Sequence, residues 1–346
     1  MSDASQRIAV VFPGQGSQRP GMGRDFFERF PVARDAFAEA NDALRIDLSS
    51  ICFGDDPRLD LTEFTQPAIL VTEVAMYRAL RDELGLAPAV FGGHSLGEYT
   101  ALCAAGAMPL AAAARLVRRR GALMQSAVPE GVGAMIAILS PAVAERNLAA
   151  DFAGIDVDVA NRNSPDQVVL SGTTGEIERA VVRAEEVLAG LEHDVIRLNV
   201  SAPFHSRAMR KIEGDLRAAI TEVSSEMAPE HAARVTSNLT GTFHVPALPP
   251  IVDALVGQAS GTVDWIANMR ALADAATTIY EVGPHRPLRG FFRAMGRDDV
   301  VSITSTKNIG NPGGGASTAS PGRGPRQDGT SPAPPACGPH QKENVA

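Results

Sequence analysis

The sequence predicts an α/β protein in which a small domain of ferredoxin-like order is inserted into a larger α/β one. Three observations carry that expectation. Short apolar runs that end in glycine-rich turns alternate with amphipathic helical runs, as α/β folds require. Residues 134–200 depart from this rhythm with the order β-α-β-β-α-β, the ferredoxin-like pattern. Finally, the chain has 346 residues, 45% apolar and 21% charged, which is material for buried cores in about two domains.

The elements follow in order. Arg7 to Phe12 reads as a short buried strand running into Pro13-Gly14-Gln15-Gly16-Ser17-Gln18, a turn-rich loop whose amides could meet an oxyanion or a phosphate, although an ordinary surface turn has the same composition. Thr65 precedes Gln66-Pro67, and a periodic apolar run from Ile69 to Leu84 stops at Gly85, the pattern of a capped helix with proline in its first turn. Pro88 to Phe91 is a strand, Gly92 to Gly97 a tight turn, and Glu98 to Ala105 a helix; a further helix covers Ala111 to Met124. In the inserted segment, strands are expected at 134–139, 156–161, 167–171 and 194–200, with helices at 141–152 and 174–189. From Asn308 to Ala346 glycine and proline dominate and large apolar side chains are scarce, so a disordered tail is expected there. No internal repeat is evident.

Charge and composition exclude several partners. A net charge of -8 and a pI near 5.4 argue against nucleic acid or an anionic membrane surface, which would repel the chain. No apolar run approaches the roughly 20 residues that cross a bilayer, and Ile8 to Phe12 is too short for a signal peptide. A cytoplasmic protein is expected. Cys52, Cys103 and Cys337 have neither metal-ligand spacing nor the arithmetic of a disulfide framework.

Gly93-His94-Ser95-Leu96-Gly97 matches the nucleophile elbow, in which glycines flanking a serine permit a sharp turn from strand to helix. The predicted strand and helix on either side make Ser95 the candidate nucleophile rather than an incidental turn serine. At the start of the helix, the dipole and the amide of Leu96 would stabilise negative charge on a reacting carbonyl oxygen. A serine needs a base. His94 adjoins it, but its side chain should point away from the hydroxyl and serve as packing. His205, in Ser201-Ala202-Pro203-Phe204-His205-Ser206, lies on a loop where the chain re-enters the large domain, a better place for a functional group.

These segments, together with Gly97-Glu98-Tyr99, Arg120-Gly121 and Glu281-Val282-Gly283-Pro284, resemble the malonyl-CoA:acyl carrier protein transacylases, which include the stand-alone enzyme of fatty-acid synthesis and polyketide synthase acyltransferases. The resemblance spans about residues 7 to 305. It implies an α/β-hydrolase-like large subdomain with a short parallel sheet (residues 1–130 and 201–307), carrying a ferredoxin-like subdomain (131–200), with 308–346 as the tail. By motif, it implies Ser95 as nucleophile, His205 as base, the amides of Gln15 and Leu96 as the oxyanion hole, and Arg120 as partner of the malonyl carboxylate. It also implies that the main-chain carbonyl of Gln258 orients the histidine, so no acid is needed, and that Phe204 narrows the space beside the α-carbon. Alone, Arg118-Arg119-Arg120 would be a solvated basic face, and two of the three are expected to be that. The substrates implied are malonyl-CoA and an acyl carrier protein, with no metal or redox cofactor, and a monomer is expected. His285, Arg286 and Pro287 depart from the family, where smaller or aliphatic residues are common. Fatty-acid and polyketide service both fit, and the tail favours the second. Rival readings are a hydrolase of the same fold, a transferase for a substituted malonyl unit, and a non-catalytic carrier-protein docking module.

Overall fold

Nine strands form two sheets in a computed structural model, which describes residues 7–200 and 202–309. The first sheet is parallel and holds β1 (Ile8–Phe12), β2 (Val90–Gly93), β8 (Thr278–Val282) and β9 (Val301–Ile303) in the order β2-β1-β8-β9. β1 reads IAVVF and is buried almost throughout, as a strand covered on both faces must be. Helices Pro31–Leu44, Thr62–Leu84 and Leu110–Ser126 pack with it into the largest apolar core.

The second sheet contains β3 (Gly133–Leu139), β4 (Val157–Ser164), β5 (Gln167–Thr173), β6 (Asp194–Arg197) and β7 (Val263–Asp264), in the order β6-β3-β5-β4-β7. Its first four strands are antiparallel, with the last strand of the segment beside the first. Alternation along these strands divides the core. Ile136, Ile138, Val168 and Leu170 face the helix Thr174–Val187 through Ile177, Ala180 and Ala184, while Met135, Ala137 and Val169 point into the main core. The period of two therefore buries both faces of this sheet.

Several expected boundaries move. β4 continues to Ser164 with two register shifts, and this extension offers an edge to β7, which comes from outside the inserted segment and pairs parallel through Asn161 and Arg162. The helix expected at 141–152 is a 3-10 turn, Val143–Glu145, and a short helix, Leu148–Asp151, separated where the Asn147 side chain caps the second piece. The strand expected to reach Val200 stops at Arg197. The long helix begins at Thr62, before the expected cap, because the Thr65 hydroxyl donates to the carbonyls of Leu59 and Leu61 (2.6 and 2.9 Å) instead of capping. Gln66 thereby becomes a helical residue of the core. Asn308 belongs to a closing turn, accepting from Thr304 and Ser305, so the expected tail boundary shifts; residues 310–346, with Cys337, lie outside the described residues. Among the described residues no helix is long and apolar enough to cross a membrane.

Glycine is obligatory at the turn after β2. A Cβ on Gly93 would sit 1.9 Å from the carbonyl oxygen of Gly97, and one on Gly97 would sit 2.2 Å from that of Phe12. Neither distance is tolerable, so the helix Leu96–Ala104 can start against the end of β1 only with both glycines. Between them Ser95 adopts φ 52° and ψ -100°, a strained conformation for a residue with a side chain.

Candidate active site

The turn aims Ser95 Oγ at His205, whose Nε2 lies 2.8 Å away. His205 Nδ1 lies 2.8 Å from the main-chain carbonyl of Gln258. A carbonyl only accepts, so Nδ1 carries the proton and Nε2 presents its lone pair to the serine hydroxyl. Gln258 lies on the buried face of the helix Leu248–Ser260, while His205 itself has φ 54° on the loop leaving the five-stranded sheet. Nucleophile, base and orienting carbonyl thus come from three separate elements.

Arg120 brings a charge to the site. Its helix, Leu110–Ser126, buries it to 1% exposure, and its guanidinium lies 5.2 Å over the Tyr99 ring. Nη1 donates to Gln66 Oε1 (2.9 Å), and Nη2 donates to Gln258 Oε1 (2.9 Å) and to Ser95 Oγ (3.2 Å). Among the described residues it forms no ion pair with a carboxylate. A buried guanidinium held only by neutral oxygens retains an uncancelled charge beside the nucleophile, which suits an anionic substrate group. Its neighbours behave as expected for a helix surface: Arg119 is exposed, and half-buried Arg118 pairs with Glu63 at 2.9 Å.

Ser95, His205, Arg120, Gln15, Leu96 and Phe204 line one cleft of about 1110 Å³. Leu96 is the first residue of its helix, so its N–H has no acceptor one turn back and is available to a ligand. Gln15 sits on the glycine-rich loop after β1, with its side-chain amide donating to Thr62 Oγ1 (3.3 Å). Phe204 adjoins the base and is 7% exposed. Every residue expected from the sequence is therefore near the same space, although Gln258 contacts it from behind. His94 points aside, its Nε2 2.8 Å from Asn163 Oδ1 and its ring edge-on to Trp265.

Asn238 has a part that the sequence did not reveal. Its Oδ1 accepts from the Ser95 N–H (2.6 Å) and its Nδ2 donates to the Gly93 carbonyl (2.8 Å), clamping the turn from both sides of the serine. Its separation from these partners, 143 and 145 residues, leaves no local pattern from which to find it. Gln66 was visible only as part of a helix start. Glu281, by contrast, stands away from the chemistry: its carboxylate accepts from the amides of Leu288 and Arg289 (2.8 and 3.1 Å) and supports the helix Pro287–Ala294. Burial pushes that carboxyl up to about 7.

Burial, then the positive charge of Arg120, pulls the His205 imidazole down to about 3. It is therefore neutral, and competent as a base, throughout the range in which ordinary histidines titrate. The acid limb of kcat/KM for acyl loading should accordingly be absent between pH 5 and 7, a range read from that depressed value. A limb centred near the ordinary imidazole value would contradict the geometry. The same shift links to stability: an unfolded chain binds this proton first, so the contribution of His205 is fully present above about pH 6.5 and declines as pH falls toward 3.

A family model described as the acyl transferase domain matches residues 9–289. The malonyl CoA-acyl carrier protein transacylase of Bacillus subtilis is 38% identical over 309 residues, covering 88% of this chain and 95% of that protein. The enzyme of the same name from Escherichia coli K12 is 37% identical over 307 residues, covering 84% and 93%. Among solved structures, the malonyl CoA-acyl carrier protein transacylase of Coxiella burnetii superposes with a TM-score of 0.81 at 34% identity, covering 88% of this chain and 96% of that one. A malonyl-transacylase bound to its type II polyketide synthase acyl-carrier protein gives 0.80 at 34% identity, covering 87% and 97%.

Proposed function

Because this chain belongs to the malonyl-CoA:acyl carrier protein transacylases of the acyl transferase family, we propose that it moves a malonyl group from coenzyme A to the phosphopantetheine thiol of an acyl carrier protein. The observation that supports this most directly is the uncancelled Arg120 guanidinium 3.2 Å from a serine already hydrogen-bonded to a base.

In the first half-reaction His205 Nε2 accepts the Ser95 proton as the hydroxyl oxygen attacks the thioester carbonyl. Charge developing on the thioester carbonyl oxygen meets the amide of Leu96 at the helix start and that of Gln15 on the loop after β1. The tetrahedral species collapses, its C–S bond breaks, and the coenzyme A sulfur takes the proton from His205. A malonyl-Ser95 ester remains, its free carboxylate on Arg120. The carrier thiol then gives its proton to His205, the thiolate attacks the ester, and the proton returns to Ser95 Oγ. The Gln258 carbonyl holds the imidazole throughout and carries the role an acid would have elsewhere. Each step is handled by protein groups alone, so the reading calls for no cofactor.

We read residues 131–200 as a ferredoxin-like subdomain inserted into an α/β-hydrolase-like one formed by 1–130 and 201–307. The strand order of each sheet supports that division. The protein would act as a cytoplasmic monomer serving fatty-acid or polyketide carriers. Phe204 would limit bulk beside the α-carbon. Phe204→Ser should therefore raise methylmalonyl loading relative to malonyl, partially, since one methyl in an apolar pocket is worth about 1–3 kcal/mol. An unchanged ratio in competition loading would make Phe204 packing only.

The test of the reading is intact-protein mass spectrometry after exposure to a panel of acyl-CoA thioesters. A single malonyl adduct that disappears on adding carrier thiol supports it. An adduct lost at once to water would instead support a hydrolase.

A further inference from the structure

Behind the nucleophile turn, on the side away from the cleft, lies a fully buried carboxylate that the reaction scheme leaves unused. Glu98, in the first turn of the helix Leu96–Ala104, is 0% exposed. Its Oε1 accepts from His244 Nε2 (2.8 Å); its Oε2 accepts from the Asn238 main-chain N–H (3.0 Å) and from Gln258 Nε2 (2.6 Å). The same Gln258 Nε2 donates to the Ser95 carbonyl (3.0 Å), and Gln258 Oε1 receives Arg120 Nη2 (2.9 Å).

A carboxamide has one donating and one accepting end. Both hydrogens of Gln258 Nε2 are claimed by groups that can only accept, the Glu98 carboxylate and the Ser95 carbonyl. The accepting end must then face Arg120. Were the amide to flip, its oxygen would meet the Glu98 oxygen and its NH2 the guanidinium, acceptor against acceptor and donor against donor. The orientation is therefore set by Glu98 from behind, together with the Ser95 carbonyl and the Arg120 guanidinium. The same arrangement separates two opposite charges by one neutral amide. Glu98 offsets the cost of burying Arg120, yet does not occupy its Nη atoms, whereas a carboxylate in direct contact would saturate them.

We propose that Glu98 is a positioning residue which, by fixing the Gln258 carboxamide, holds Arg120 as an uncancelled cation facing the acyl pocket and so sets the preference for carboxylated acyl groups. His244 holds the far oxygen of Glu98 in place. This deepens the reading of Arg120 as the carboxylate partner and rests on it.

The experiment compares Glu98→Met, Glu98→Gln, Gln258→Met and Arg120→Ala with the parent. The readouts are kcat and KM for coenzyme A release from malonyl-CoA and acetyl-CoA, and the melting temperature. Gln258→Met breaks the relay but retains the main-chain carbonyl that receives His205. Both methionine variants should lower the malonyl-to-acetyl ratio of kcat/KM by about 10- to 100-fold, mainly through malonyl KM. Glu98→Gln still offers an acceptor oxygen to Gln258 and should keep the parent ratio. A role confined to stability would lower both substrates by one factor together with the melting temperature, and that result overturns the proposal. If Glu98→Met does not fold, Gln258→Met decides, because it leaves the Glu98–His244 pair intact; a parent-like ratio there refutes the relay. If Arg120→Ala also keeps the parent ratio, the underlying reading fails instead. If only Arg120→Ala changes it, Arg120 stands and Glu98 does not act through it.

Discussion

Ser95→Ala is expected to leave no acyl adduct on the protein after exposure to malonyl-CoA, at any time and any concentration tested. Among the described residues the cleft offers no second hydroxyl or thiol in contact with the base: His205 Nε2 is committed to Ser95 Oγ at 2.8 Å, and burial pushes the thiols of Cys52 and Cys103 up to about 12, where they remain protonated and poorly nucleophilic. His205→Ala retains the nucleophile, the Leu96 amide and Arg120, so it should slow loading rather than remove it, by about 10³- to 10⁶-fold. The variants differ in kind, and intact mass recorded against time separates them. A malonyl adduct on Ser95→Ala protein would remove Ser95 from the mechanism.

Arg120→Ala should invert specificity while the chemistry survives. The guanidinium is held by Gln66, Gln258 and Ser95, and all three are neutral, so the malonyl carboxylate would be its only anionic contact. Losing charge-assisted bonds of this kind costs about 1.5–3 kcal/mol, roughly a 10- to 100-fold fall in malonyl kcat/KM. Acetyl transfer should hold or rise, because an uncharged acyl group no longer shares the pocket with an unpaired cation. Competition loading from an equimolar mixture of malonyl-CoA and acetyl-CoA reads the change directly. Equal losses for both substrates would mean that Arg120 supports the fold, as its stacking on Tyr99 at 5.2 Å could allow, and not the substrate.

The sequence determined what depends on neighbours along the chain. Gly93 announces the elbow because a Cβ there would strike the backbone of Gly97 just along the chain, whereas at Gly97 the clash is with Phe12 of another strand and depends on the fold. Short, largely apolar runs at 134–139 and 167–171 marked the strands, and the alternation of side chains along a folded strand divides Ile136 and Ile138 from Met135 and Ala137 between two cores. Ser95, His205, Arg120 and the carbonyl of Gln258 were legible because each stands in a motif that a resemblance can carry. Local rules erred where another partner, near or distant, competed. The long helix starts at Thr62 because the Thr65 hydroxyl prefers the Leu59 and Leu61 carbonyls, and β4 outruns its apolar stretch to receive β7.

Only the tertiary structure decided the wiring behind the site. Asn238 clamps a turn 143 residues before it, Gln66 reaches Arg120 across 54 residues, and Glu98 meets His244 across 146 and Gln258 across 160. None of these polar residues has a periodicity or a turn signature, because their positions follow from which elements pack together and from the need to satisfy each buried donor and acceptor. A sequence specifies a serine in a strained turn by local sterics. Which amide end faces the arginine beside it depends on a carboxylate brought there by the packing of separate helices, and that is settled only when the core closes.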